Sequence, residues 1–326
     1  MNQATHRLGF LKDQRFILLL TLLAINVFFA LVADDFLESN NYFNMLKQTA
    51  MIIITGSAGT LLMMTGNIDL STGSTVACTA VLYTLLATHG MSMTGAAAVV
   101  VVVGMVIGLV NGALVARAGI PPFIATLGSM YVVRGLGLVA CNGRSIRENI
   151  PEGFNLLARG NFLGIPVPVY LIVAFVLVFW VLQEKTLLGK YALAIGGNPN
   201  AAFFSGINAR GIVFGLFVLV SALAAFSGVM MASRFGAGDP RSGTGFEFDV
   251  IVAIVLGGTS LSGGKGSVVG TLLGALIVAV LGNGLDMLNV LTFWQSVLKG
   301  AILVVAILLN EKILKAVRRS PSLQPA

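Results

Sequence analysis

Three charged residues of this chain stand inside or beside long apolar runs, where a charge is costly unless it serves a purpose. Asp69 lies in the segment Gly66–Ser74, which reads GNIDLSTGS, and Arg134 and Lys299 lie within apolar sequence. A charge at the centre of a membrane-spanning helix costs about 2.5–3.5 kcal/mol, so such groups usually pair or face a polar cavity. We therefore predict that Asp69, Arg134 and Lys299 lie beside a route for a polar solute.

Each of these residues also has a purely structural interpretation. Asp69 and the nearby Ser71 are of the types that cap helices, and they could satisfy the free amide groups of a helix that begins after them. The long side chains of Arg134 and Lys299 can reach from an apolar segment to the membrane surface. Both interpretations stay open on the sequence alone.

Patterns for catalysis and nucleotide binding are not found in the sequence. His6 and His89 are far apart, and neither has a metal partner at ligand spacing. The segment Leu261–Lys265 reads LSGGK, but no G-x-x-x-x-G-K-[ST] loop accompanies it, so we interpret it as a glycine turn. We interpret Cys78 and Cys141 as packing residues. The sequence therefore predicts neither an enzyme nor a bound metal or cofactor.

The composition identifies the elements that must position these residues. Of the 326 residues, 56% are hydrophobic and only 10% are charged, whereas soluble proteins carry about 25% charged residues. This composition predicts an all-α integral membrane protein. The net charge of +7 does not indicate nucleic-acid binding, because the basic residues lie at the termini and in short loops, as membrane orientation requires.

Apolar runs long enough to cross a bilayer, which needs about 20 helical residues, predict about ten transmembrane helices. Two of them, the third and the eighth, are short enough to be tilted, broken or re-entrant. The predicted spans are Phe16–Ala33, Gln48–Met64, Ser74–Thr88, Ala96–Ala116, Pro122–Cys141, Val167–Leu182, Gly211–Ala232, Val250–Leu261, Val268–Leu288 and Phe293–Leu309.

Basic residues predict the orientation, because lysine and arginine accumulate in cytoplasmic loops. A single transmembrane domain, 1–326, then has a cytoplasmic tail at 1–15, a cytoplasmic loop at 183–210 and a second cytoplasmic tail at 311–326. The loop Gly143–Ile165 is an exception, since it falls outside although it is basic. Both termini are predicted to be cytoplasmic.

Glycines at four-residue spacing occur in two of the predicted spans. One stripe consists of Gly104, Gly108 and Gly112, and the other of Gly266, Gly270 and Gly274. Such stripes let helices approach closely, and they are compatible with two unrelated packing seams. They are equally compatible with two five-helix halves, the second inverted in the membrane, as in many transporters.

The cytoplasmic loop contains the turn signal Gly196-Gly197-Asn198-Pro199. Asn198 or Asn200 could cap a short helix over Ala201–Ser205, with Phe203 and Phe204 facing outwards. A short protruding helix with aromatic side chains is suited to docking in a partner's groove. The alternative is an amphipathic helix that rests on membrane lipid.

The order of these motifs resembles the permease subunits of bacterial ATP-binding-cassette importers for monosaccharides, the group that contains ribose, allose, xylose and arabinose permeases. The resemblance spans most of the chain. Asn67 and Thr72 depart from the family's GGIDLSVGS, and Phe203-Phe204 stand where the family commonly has Arg-Leu. The matching segments are Gly66–Ser74, Phe123–Leu127 with Arg134-Gly135, Ala194–Asn198, Ala201-Ala202, Ser205–Ile207 and Gly257–Gly266.

The resemblance implies a permease dimer in the bacterial inner membrane, two ATP-binding subunits that use the ATP, and a periplasmic sugar-binding protein. The solute would be a pentose or a hexose, such as ribose or allose, and the fifth and tenth spans would line its route. Contact with the ATPase would fall on Gly196, Gly197, Asn198, Ala201, Ala202, Ser205 and Gly206. The binding protein would dock on outer loops with Arg144, Arg147, Arg159, Arg234, Asp239 and Arg241.

A secondary transporter driven by an ion gradient is the alternative function, with Asp69 as the ion-coupling carboxylate. A membrane-embedded enzyme is disfavoured, because the sequence shows no pair of nucleophile and base and no metal cluster. Dependence of uptake on ATP or on a proton gradient separates the first alternative from the importer.

Overall fold

The computed structural model describes residues 14–291, 293–302 and 304–305, and this part of the chain is almost entirely helical. The tails predicted at 1–15 and 311–326 therefore lie outside the described residues, except for residues 14 and 15. The long helices are α1 Gln14–Val32, α2 Ser39–Met64, α3 Thr72–Thr88, α4 Met93–Gly112, α5 Pro122–Ala140, α7 Val167–Lys185, α10 Ala209–Phe235 and α12 Val268–Met287.

Shorter elements connect or follow these helices. A π-helical segment, Ala113–Arg117, extends α4, and residues 293–302 and 304–305 belong to a C-terminal helix. The two strands of a small antiparallel hairpin, β1 Asn161–Phe162 and β2 Ile165–Pro166, are an addition to the predicted all-α class. The short helices are α6 Leu156–Arg159, α8 Leu187–Gly197, α9 Pro199–Phe204 and α11 Phe246–Leu256.

Six of the helices in the described residues are long and apolar enough to cross a membrane. They are α1, α4 with its π-helical extension, α5, α7, α10 and α12. The other predicted spans coincide with α2, with the shorter helices α3 and α11, and with the C-terminal helix, whose predicted end at Leu309 lies outside the described residues. The chain is therefore a multi-pass α-helical membrane protein, as the composition predicts.

Helices α2 and α10 form the centre of the bundle, whereas α1, α5 and α7 lie at its surface. In its most apolar stretch α10 is 67% buried, compared with 11% for α1. The outer helices expose large apolar side chains such as Leu31, Tyr131 and Val173. Such faces are stable only against lipid or another protein.

The predicted glycine stripes are packing seams, but the neighbours of the two stripes differ. A Cβ atom at Gly104 or Gly108 would lie 2.6 Å from a backbone carbonyl oxygen of α10, so this approach requires glycine. Gly270 and Gly274 pack instead on the backbone of α11, at Gly257 and Ala253. Because α10 and α11 are successive helices rather than counterparts in two halves, the stripes alone do not indicate a repeat.

Helices α3 and α11 are short because irregular segments precede both of them. Residues 65–71 return into the bundle after α2, and residues 236–245 do so after α10. The second segment contacts the first turn of α3, where Gly243 meets Gly73. A Cβ atom on either glycine would lie 2.6 Å from the other's carbonyl oxygen. Broken backbone of this kind is tolerated at membrane depth only where protein surrounds it.

Candidate functional site: two ends of the bundle

A protruding helix pair, α8 and α9, lies at the end of the bundle where α2 terminates and α10 begins. Thr186 caps α8, since its Oγ1 accepts a 3.2 Å hydrogen bond from the amide of Leu188. Asn198 caps α9, since its Oδ1 accepts a 3.0 Å bond from the amide of Ala201. Of the two caps that the sequence allowed, the structure uses Asn198, and the short helix begins two residues earlier than predicted.

Helix α9 has a buried face and an exposed aromatic face. Ala202 is only 3% exposed, whereas Phe203 and Phe204 are 72% and 86% exposed. The two rings lie edge to face with their centroids 5.6 Å apart. Exposed aromatic side chains on a short, capped helix are a surface that another molecule can cover.

Backbone contacts connect this helix pair to the centre of the bundle. The amide of Gly264 donates a 2.9 Å hydrogen bond to the carbonyl oxygen of Met64, the last residue of α2. Gly196 packs directly on the same carbonyl and on the Gly264 amide, which leaves no space for a Cβ atom. Gly197 faces open space. We call residues 187–207 with Met64, Gly263 and Gly264 the coupling platform.

The structure brings the predicted ATPase-contact residues together on this platform, although they do not share one environment. Gly196 is enclosed by backbone and Ala202 faces inwards. The exposed members of the set are Gly197, Asn198, Ala201, Ser205 and Gly206.

Three adjoining cavities of about 140, 210 and 340 Å³ lie at the opposite end of α2, α10 and α12. Asp249, in the first turn of α11, lines all three of them. Gln48 of α2 and Arg234 of α10 line two, and Lys299 of the C-terminal helix lines two. Asn283 and Asp286 of α12 also line the first cavity, so five helices contribute polar groups to one region, which we call the polar cavities.

Two of the three charges predicted to lie along the route come to this region. The ammonium group of Lys299 lies 2.8 Å from a carboxylate oxygen of Asp249. Arg134 donates a 3.1 Å hydrogen bond to the hydroxyl of Thr244. Thr244 directly precedes Gly245, the N-cap residue of α11. Thus α5 and the C-terminal helix, the fifth and tenth predicted spans, both contact the segment around the start of α11.

Asp69 lies apart from the polar cavities, in a closed hydrogen-bond network. Its Oδ1 accepts bonds from the amide of Ser71 at 2.8 Å and from the hydroxyl of Ser71 at 2.6 Å. Its Oδ2 accepts a 3.4 Å bond from Ser221 of α10, and Asn111 of α4 donates to the Ser71 hydroxyl at 2.9 Å. Asp69 is 7% exposed and joins three helices.

The predicted docking residues lie at the same end as the polar cavities. Residues 141–166 and 236–245 are tied by two backbone hydrogen bonds between Ile146 and Gly238, at 2.9 and 3.0 Å. Arg234 differs from the rest, since it belongs to the last turn of α10 and donates a 3.1 Å bond to Gln48 inside the cavities. The exposed basic members are Arg144, Arg147, Arg159 and Arg241, and Asp239 is half-buried.

Sequence reasoning did not single out Asp249, Gln48, Asp286 or Gln295 as lining residues. Asp249 and Gln48 stand at the edges of predicted spans, where polar residues are ordinary. The sequence feature that could have identified Asp249 was its possible pairing, as an acid at the start of the eighth span, with Lys299 in the tenth. Recognising that pairing requires knowledge of which helices are neighbours.

Comparisons with known proteins identify the family to which the chain is similar. A family described as "Branched-chain amino acid transport system / permease component" matches residues 41–307. The ribose import permease of Escherichia coli K12 is 37% identical over 305 residues, 93% of this chain and 94% of the relative. An L-arabinose ABC transporter permease of Azospirillum brasilense is 39% identical over 285 residues, 86% and 83% of the two chains.

A third relative is the D-allose transport system permease of Escherichia coli K12. It is 34% identical over 292 residues, which are 89% of each chain. No solved structure matches the chain. The family match, residues 41–307, includes both the coupling platform and the polar cavities.

Proposed function

The chain belongs to the permease-component family that matches it and is a sugar-importing ABC permease subunit, and we propose that it carries a pentose or hexose across the bacterial inner membrane. ATP hydrolysed by a separate ATP-binding subunit drives the cycle. A periplasmic sugar-binding protein delivers the solute. Because that protein can select the sugar, the permease itself can serve sugars such as ribose, arabinose or allose. We propose that the chain itself binds no cofactor and that the ATP is used by the separate subunit.

The coupling platform is the observation that carries this proposal. Phe203 and Phe204 form an exposed aromatic surface, and Gly196 joins that surface to the end of α2 through backbone contacts. Movement of a docked ATPase subunit at α9 would therefore be transmitted to a central helix that extends to the polar cavities. Conformational change of this kind needs a rigid element shared by both sites.

The aromatic pair also indicates how this chain contacts its ATPase. The family commonly has Arg-Leu at these positions; if that arginine contacts the ATPase in related permeases, two exposed rings take its place in this chain. Aromatic side chains act as anchors when an interface buries them in a pocket. We expect the ATPase of this system to present an apolar groove rather than an acidic one.

We further propose ten spans in two inverted halves of five, with both termini in the cytoplasm. The segments before α3 and α11 support this. One reads Asp69-Leu-Ser-Thr-Gly73-Ser and the other Asp239-Pro-Arg-Ser-Gly243-Thr. In each, the aspartate Oδ1 accepts from the amide two residues later, at 2.8 Å for Ser71 and 2.9 Å for Arg241.

The reciprocal contact between Gly73 and Gly243 supports the same proposal. Two equivalent residues touch each other only where a two-fold axis passes between them. The helix contacts follow the pattern as well, since α3 packs on α10 while α11 packs on α2. An odd number of spans per half makes the second half inverted, a common plan for transporters.

A second permease copy and membrane lipid are the proposed neighbours of the outer surface. The apolar side chains exposed on α5 and the C-terminal helix, among them Tyr131 and Trp294, adjoin the polar Arg134 and Lys299. A surface of mixed character suits contact with another copy better than contact with lipid alone. The exposed arginines near residues 141–166 and 236–245 are the proposed docking surface for the binding protein.

Co-purification tests the proposed function. The full chain, tagged and extracted from its native membranes in mild detergent, is expected to retain a protein with the G-x-x-x-x-G-K-[ST] loop that hydrolyses ATP. Addition of the binding protein with its sugar is expected to stimulate that hydrolysis. Purification of a folded chain without any such ATPase would contradict the proposal.

A further inference from the structure

The charged and amide side chains around the polar cavities are arranged in pairs contributed by different helices. Asp249 and Lys299 lie 2.8 Å apart, and Arg234 donates to Gln48 at 3.1 Å. In addition, Gln295 donates to Asp286 at 2.6 Å. The first two pairs join helices that are distant in the sequence, whereas the third joins two successive helices.

The central pair of this region is accessible from the cavities. The side chains of Asp249 and Lys299 are 25% and 38% exposed, although both residues lie within predicted apolar spans or at their edges. The exposure leaves both groups able to contact a solute.

The charges that line the first cavity cancel. Arg234 and Lys299 contribute two positive charges, and Asp249 and Asp286 contribute two negative charges. A balanced site gives no net attraction for an anion or a cation. It does offer many donors and acceptors, because carboxylates accept, guanidinium and ammonium groups donate, and amides do both.

Such a site matches the chemistry of a neutral polyhydroxylated solute. Each sugar hydroxyl both donates and accepts, and planar carboxylate, amide and guanidinium groups can contact two neighbouring hydroxyls at once. A branched-chain amino acid would instead require an apolar pocket for its side chain together with unpaired charges for its ends. The lining favours a sugar over the solute class in the family's description.

We infer that the polar cavities are the sugar's first binding site within the membrane, with Asp249, Lys299, Gln48 and Arg234 contacting its hydroxyls. This inference rests on the proposed function and specifies where the permease itself recognises its solute. The region lies towards the end of α2 opposite the coupling platform. The sugar and the ATPase would therefore act on opposite ends of the same helix.

Thiol protection tests the inference on the purified full chain. Asn44 is exposed and lines the first cavity, so Asn44→Cys, in a Cys78→Ala/Cys141→Ala background, reports on access to the cavity. We expect at least one of D-ribose, D-allose and L-arabinose to slow its labelling by a methanethiosulfonate reagent, and L-leucine to have no effect. The matched control is Asp34→Cys, exposed and outside the cavity, whose labelling rate should not respond to any sugar.

A second variant separates contact with the sugar from a structural role. Replacing the ion pair in the reporter background, as Asp249→Asn with Lys299→Gln, retains hydrogen-bonding groups of similar size. We expect the sugar concentration for half-protection to rise by at least about tenfold, because charge-assisted hydrogen bonds are lost. Co-purification of the ATPase should remain, since the coupling platform is unchanged.

The inference is overturned if no sugar slows the labelling of Asn44→Cys, if L-leucine slows it equally, or if the double variant keeps the original half-protection concentration. None of these outcomes depends on ATP or on a partner protein. A failure of the site therefore remains distinguishable from a failure of the proposed importer function, which the ATPase co-purification tests.

Discussion

The two ends of α2 contact the rest of the molecule in different ways. At the coupling platform, Met64 is fixed by the backbone of Gly196 and Gly264. At the opposite end, Gln48 contacts Arg234 through side chains across open cavities. Backbone contacts without intervening side chains leave little freedom of movement. Paired polar side chains, in contrast, can replace the hydrogen bond between them with hydrogen bonds to a solute.

This difference separates force transmission from solute recognition. A close-packed junction behaves as a rigid unit because any displacement creates a clash or a void. A polar, partly hydrated junction tolerates rearrangement, because water or solute hydroxyls can replace its hydrogen bonds. The same helix thus has one end suited to transmitting movement and one end suited to responding to a ligand.

The largest effect is expected at Gly196. A methyl group in Gly196→Ala would meet the Met64 carbonyl and the Gly264 amide, and neither backbone group can move away. Overpacking costs about 1–3 kcal/mol or more, so we expect a lower thermal unfolding temperature in detergent and loss of ATP-driven uptake. The control is Gly197→Ala, which meets nothing. Equal stability of the two variants would contradict the rigid junction.

The next largest effect is expected on the exposed surface of the platform. In Phe203→Ser/Phe204→Ser the chain should fold, because both rings are exposed. Truncation of interface anchors costs about 2 kcal/mol or more, so affinity for the ATPase should fall more than about tenfold. Leu163→Ser, an equally exposed apolar residue at the other end, is the control. Undiminished ATPase binding by the phenylalanine variant would remove α9 from the contact.

A smaller effect is expected for the docking surface at the cavity end. Reversing charge at the exposed residues Arg144, Arg147 and Arg241 should weaken binding-protein affinity about three- to tenfold at low salt, since rim charges mainly alter association rates. Lys190→Glu, on the coupling platform, should leave that affinity unchanged. The measurement is surface plasmon resonance at two ionic strengths. A triple variant that binds normally at low salt would place the docking surface elsewhere.

The smallest effect is expected at Asp69. In Asp69→Asn the remaining amide oxygen can still accept from Ser71, so the uptake rate should change less than about threefold, which corresponds to the lower end, about 0.5 kcal/mol, of the net contribution of a hydrogen bond. An ion-coupled carrier that used this carboxylate would lose its uptake entirely. Abolished transport in a stably folded Asp69→Asn variant would therefore revive the ion-coupled alternative.

Much of the fold was predictable, because apolar periodicity and helix caps are local properties. Each of the ten predicted spans overlaps a helix in the described residues, although α11 ends at Leu256 and the predicted eighth span ran to Leu261, beyond the glycine turn that begins at Gly257. The Asn198 cap follows from the residues beside it. The count of ten and the inverted halves remain predictions. The family motifs also predicted a segment whose small residues Gly196 and Ala202 are enclosed in the structure; the contact of this segment with an ATPase stays a prediction.

The polar cavities could not be predicted, because they depend on contacts between distant segments. The bond between Arg234 and Gln48 joins residues 186 positions apart, and Ser221 reaches Asp69 across 152 positions. Nothing in the residues around Arg234 distinguishes a cavity-lining arginine from one in a surface loop. Asp69 is similar, since its isolation from the cavities is visible only after the helices are assembled.

Uptake by proteoliposomes tests the central claim most directly. The purified chain is reconstituted with and without its ATPase subunit, with the binding protein and labelled sugar outside and ATP or a proton gradient supplied separately. The account predicts accumulation of sugar only when both the ATPase and ATP are present. Accumulation by the chain alone, driven by a proton gradient, would contradict it.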